Sequence, residues 1–140
     1  MKKNIPLTII ALMALVIIAG CKKDNASAWV GKYTAVNAID SINQVTITEV
    51  NSSTLQIAIQ ANYSIGNVSS VVTFVTIQQA KLQSATSATF NESDVVQDVP
   101  AFNGTDQVAG SAALSGNTLT VVGTATNGNL TYNYSFNGSK

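Results

Sequence analysis

Towards the C-terminus the chain alternates. Leu119, Val121, Gly123 and Ala125 fall on one parity and Thr118, Thr120, Val122, Thr124 and Thr126 on the other; then Leu130, Tyr132, Tyr134 and Phe136 oppose Thr131, Asn133 and Ser135. A period of two puts each set on its own face of a strand. Asn127-Gly128 lies between the two runs and predicts a type I′ turn, whose central residues need positive φ. Ser115-Gly116-Asn117 predicts a second turn, joining the small-residue run Gln107 to Leu114 to the strand from Thr118. The last third therefore reads as a three-stranded antiparallel meander.

The front half follows the same grammar. Trp29 to Asn37, Ile42 to Val50, Thr54 to Gln60 and Asn67 to Gln78 are strand candidates, parted by Asn51-Ser52-Ser53 and by the Gly66 region. Thr, Val, Ile, Ser and Asn dominate, and the long side chains that fill exposed helices are scarce. Residues 79–106 read as one strand and a loop. Ala88 to Phe90 and Val95 to Val99 are the strand candidates there, interrupted by Pro100 and Asn103-Gly104, and Ala80, Lys81 and Leu82 allow a short helix over Gln78 to Ser84. About eight short strands with hairpin-length links predict an all-β fold, a small antiparallel up-and-down β-barrel, with a two-sheet β-sandwich as the alternative. Trp29, Gly31 and Tyr33 on the first strand and Tyr132, Tyr134 and Phe136 on the last are expected to close the chain ends on each other.

Ahead of the strands the pattern changes. Met1, Lys2 and Lys3 give a positive start, and Ile5 to Gly20 form an apolar run that ends in small residues. This is the layout of a secretory signal peptide, and the run falls short of the about 20 apolar residues a spanning helix needs. Ile18-Ala19-Gly20-Cys21 resembles the lipobox of bacterial lipoproteins. That resemblance implies a diacylglyceryl group on Cys21, cleavage before it, and attachment to a membrane through lipid. Other readings of this single cysteine are a free thiol in an uncleaved anchor or half of an intermolecular disulfide; neither explains the small residues before it or the abrupt polarity after it. The expected division is a signal peptide over 1–20, a lipidated tether over 21–28 and one all-β domain over 29–140. Lys22-Lys23-Asp24 lacks an Asp directly after the cysteine, the feature that resembles an inner-membrane retention signal. The expected destination is the outer membrane, with the domain on its periplasmic or its outer side.

Charge narrows the function. From Cys21 onward, five lysines (Lys22, Lys23, Lys32, Lys81, Lys140) oppose seven acids (Asp24, Asp40, Glu49, Glu92, Asp94, Asp98, Asp106), so 5 − 7 gives −2. No basic face is available for nucleic acid. The chain has no His and no Arg, which removes Ser-His-Asp and Cys-His catalysis, and no catalytic residue, cofactor or metal site is expected. Glu92, Asp94, Asp98 and Asp106 form the one concentration of ionisable groups. They offer paired carboxylates or oxygen ligands, but their spacing fits no EF-hand loop, and solvated loop charges are the expected reading. Tyr132, Tyr134 and Phe136 are candidates for lining a ligand cavity, beside the plain reading of core. Asp40-Ser41-Ile42 resembles the O-glycosylation acceptor of exported Bacteroidetes proteins, making Ser41 a candidate modification site.

The run Gly110 to Lys140, with WVGKYTAVN from Trp29 and the lipobox before it, resembles small lipoproteins of Bacteroidetes grouped as lipocalin-like. Trp29 precedes Gly31, the reverse of the order in the lipocalin signature. With no catalytic constellation in the sequence, the expected function is that of a non-enzymatic envelope lipoprotein, a binding or structural module whose barrel or sandwich presents loops to a protein, glycan or neighbouring surface. Its alternative is a lipocalin-like carrier of a small apolar ligand.

Overall fold

The structure, a computed structural model, describes residues 25–36, 42–65, 68–96 and 104–140. Cys21 and Ser41 lie outside these residues. Eight strands follow one another: β1 (Gly31–Ala35), β2 (Ile42–Asn51), β3 (Thr54–Ile65), β4 (Val68–Leu82), β5 (Ser87–Val96), β6 (Gly104–Ser115), β7 (Thr118–Asn127) and β8 (Leu130–Ser139). Each pairs antiparallel with the next, and β1 returns to β8, so the sheet closes into an up-and-down barrel. The sandwich alternative is set aside by that ring of pairings.

The meander from β5 to β8 is regular. Its three ladders run without a register shift, from Ser87 opposite Ala113 to Asn127 opposite Leu130. Both tight turns use glycine at the first central position: Gly116 (φ 59°) follows the Ser115–Thr118 pair and Gly128 (φ 56°) the Asn127–Leu130 pair. The turn expected on Asn127-Gly128 is therefore centred one residue later, on Gly128-Asn129, because Asn127 is still needed for the ladder.

The front half is bulged. β2 and β3 shift register twice, as do β3 and β4. One shift falls between the Ile77 and Ala80 pairs, so the inward parity changes from Val75 and Ile77 to Ala80. The helix allowed over Gln78 to Ser84 does not form. Ala80 faces the core, Lys81 pairs with Thr54 and Thr89, and β4 runs on to Leu82. Past the bend, β5 joins the two short candidates through Val96 as one strand.

Two seams are thin. Among the described residues β1 meets β8 at Thr34–Ser139 and Ala35–Gly138, extended by Val36 N–H donating to Asn137 O at 3.1 Å. Closure thus uses the end of β8, not the aromatic row expected to meet Trp29 and Tyr33. β4 meets β5 only at Lys81–Thr89 and Leu82–Ala88; beyond that, Gln79 N–H donates to the Glu92 carboxylate at 3.0 Å in place of a backbone partner.

The core fills the barrel with Val45, Ile47, Ile57, Ile59, Val75, Ile77, Val108, Val121 and Phe136, among others. Outward positions carry Thr, Ser, Asn and Gln, linked across strands by bonds such as Gln56–Gln78 at 2.6 Å and Gln107–Asn91 at 2.7 Å. A transmembrane barrel presents an apolar band to lipid. The described outward positions are mostly polar, with Val30, Val36, Val50 and Val122 exposed among them.

Candidate functional site

The two ends of the barrel differ. At one end lie the turns β2–β3 and β6–β7, the β4–β5 bend, and the stretch before β1. Trp29 is fully buried there; its indole N–H donates to Ala85 O at 3.0 Å, and Tyr33 Oη donates to Trp29 O at 2.8 Å. Lys140 Nζ reaches Ala28 O and Val30 O, each at 3.0 Å, and stands 5.3 Å from the centre of the Tyr33 ring. Burial pushes the Tyr33 phenol above its ordinary value. This end is closed.

At the other end a cavity of about 290 Å³ opens among Ile42, Ala61, Phe74, Tyr132 and Tyr134, with Asn133 and Ser135 at its rim. Its shape starts from two glycines. Phe90 of β5, Gly110 of β6, Gly123 of β7 and Tyr134 of β8 form one cross-strand row. A β-carbon on Gly110 would stand 2.7 Å from the Phe90 ring, and one on Gly123 would stand 2.5 Å from Tyr134 Oη. The rings therefore lie down over bare backbone. Tyr134, so laid, meets Phe74 of β4 edge to face, with ring centres 6.4 Å apart and planes at 79°. That pair walls the cavity, and Tyr132 stands half-buried beside it.

The aromatic row is thus divided. Tyr132 and Tyr134 line the cavity, whereas Phe136 is buried in the core and packs against Gly138. Ile42, Ala61 and Phe74 join the site from strands that periodicity located without marking them as lining; Phe74, an aromatic amid valines in β4, was the available clue. Of the four acids, Glu92 holds the β4–β5 seam, Asp94 and Asp106 are register partners in β5 and β6, and Asp98 lies outside the described residues. Among the described residues no three metal-ligating side chains converge. Among the described lining residues there is no carboxylate or lysine, and what they offer is aromatic surface, hydroxyl and amide groups. Such a lining suits a small neutral molecule.

The described residues define a closed, eight-stranded up-and-down barrel, packed around Trp29 towards one end and holding a cavity beside Tyr134 towards the other. Compared with protein-family models, curated proteins and solved structures, the chain matches none.

Proposed function

We propose that the chain is a lipid-anchored envelope lipoprotein, similar to the small lipocalin-like lipoproteins of Bacteroidetes, whose barrel is a non-enzymatic binding module working at its open end. The observation that carries this reading is the pairing of a plugged, packed barrel with an aromatic cavity at the far mouth: a rigid support presenting one recessed surface. The lipobox at Ile18 to Cys21 supports the anchor. The described outward positions, mostly Thr, Ser, Asn and Gln, support it too, since a barrel that crosses a bilayer presents apolar residues to lipid. The outer membrane is the proposed location.

A carrier of a small apolar ligand is the second reading, favoured by the cavity volume of about 290 Å³. This lies at the low end of small-molecule sites. The filled core beneath it limits such a ligand to the mouth.

The test is a pull-down of the lipidated protein from native envelope, with identification of co-purifying proteins, glycans and small molecules, alongside Cys21→Ser. The variant should lose acylation and lipoprotein-specific cleavage. A processed, membrane-bound Cys21→Ser protein would refute the anchor. Capture that survives blocking the mouth with Ala61→Trp would refute the open end as the working surface.

A further inference from the structure

We infer that the barrel stands on the membrane by its closed end, which docks on anionic lipid headgroups, so that the aromatic cavity faces away from the bilayer. The inference rests on the lipid anchor at Cys21 and adds an orientation to it.

Chain length supplies the first argument. Four Cα–Cα steps, over Lys22, Lys23 and Asp24, separate Cys21 from Asn25, where the described domain begins. They span at most about 14 Å when fully extended. Just beyond, Ala26 is buried and Trp29 N–H donates to Ala26 O at 3.0 Å, which fixes this stretch under the closed end. The ten residues of β7 rise about 34 Å along the strand, and a tilt of about 40° leaves a barrel some 26 Å tall, roughly twice the reach of the tether. An inverted barrel would hold Asn25 farther from the bilayer than the tether extends. Only an upright or a side-lying barrel is reachable.

Charge decides between those two. All three lysines of the described residues sit towards the closed end: Lys32 near the start of β1, Lys81 near the end of β4 and Lys140 after β8. Glu49, near the end of β2, is the acid at that level. Asp94 and Asp106 are paired towards the open ends of β5 and β6. A cationic pole beside the anchor is drawn to an anionic leaflet, each surface lysine contributing within a Debye length, while the acidic pole is repelled. Between these levels the described outward positions are mostly uncharged Thr, Ser, Asn and Gln.

The experiment uses the lipidated protein in vesicles of phosphatidylethanolamine and phosphatidylglycerol carrying an energy acceptor on the headgroups. Ser52→Cys in the β2–β3 turn and Asn129→Cys in the β7–β8 turn, both exposed, each receive a donor dye. Energy transfer should be markedly stronger from position 52, and Lys32→Glu with Lys81→Glu should narrow the difference. Equal transfer, or stronger transfer from position 129, overturns the orientation. A difference unchanged by the lysine substitutions overturns the headgroup docking. The mass of the N-terminal peptide in the same preparation separates these results from failure of the anchor: without acyl chains on Cys21 both readings fall, and with them only the orientation does.

Discussion

The closed and open ends of this barrel are built from the same kind of strand, yet they pack by different means. At the closed end polar contacts bind segments remote in sequence, Trp29 to Ala85 and Lys140 to Ala28 and Val30, around a fully buried indole. Farther along the barrel Gly110 and Gly123 make room for the rings of Phe90 and Tyr134, and Tyr134 walls the cavity together with Phe74. Interiors are close-packed where nothing else is required. The described residues thus place the tightest packing and the cavity towards different ends of one barrel.

Truncation should expose that contrast. Trp29→Ala should be the most damaging change, about 3 to 5 kcal/mol in denaturant unfolding, because it empties a sealed site and strands the Ala85 carbonyl. Tyr134→Ala should cost less, about 3 kcal/mol, since one side of that ring already borders the cavity. A larger loss at Tyr134 than at Trp29 would reverse the assignment of the two ends.

The turn at the open end gives a smaller test. Gly128 has φ 56° and open space around a would-be β-carbon, so Gly128→Val should cost only the backbone strain, about 1 to 2 kcal/mol. Unchanged thermal stability would contradict the left-handed turn.

Alkaline pH sharpens the closed end most gently. Burial raises the Tyr33 pKa in the folded state above its ordinary value of 10.0. The folded state thus favours the neutral phenol, and that contribution is fully present below pH 10 and is lost as pH rises through the folded value. Tyr33→Phe should be about 1 kcal/mol less stable at neutral pH, for want of the bond to Trp29 O, and should lose stability less steeply above pH 10. Parallel alkaline profiles would show that Tyr33 ionisation is not coupled to folding.

The meander was legible in the sequence because nothing interrupts its period: Leu119 to Ala125 and Tyr132 to Phe136 keep their parity throughout β7 and β8. The bulges were not legible. A change of inward parity such as that from Ile77 to Ala80 breaks the alternation locally, and the Ala-Lys-Leu run then mimics a helical turn. β5 was underread because Asn91, Glu92 and Ser93 face out or bridge a seam, leaving few apolar positions to mark the strand. The cavity was half visible. Tyr132 and Tyr134 stand out as an aromatic row, but their neighbours Ile42, Ala61 and Phe74 come from strands brought beside β8 only by closure of the barrel. Gly123 held the remaining clue, a missing side chain whose meaning depends on the ring across from it.

The narrow seam between β1 and β8 also dictates an order of events in time. It joins segments more than a hundred residues apart, as the bond from Lys140 to Ala28 spans 112 positions. Loop closure over such a distance costs entropy before any contact offsets it. The local hairpins therefore assemble first, and the ring is sealed last, at the Thr34–Ser139 and Ala35–Gly138 pairs. Until that moment β1 and β8 are open edges, each able to pair with another molecule. The step that completes the native barrel is thus also the one that ends its exposure to aggregation.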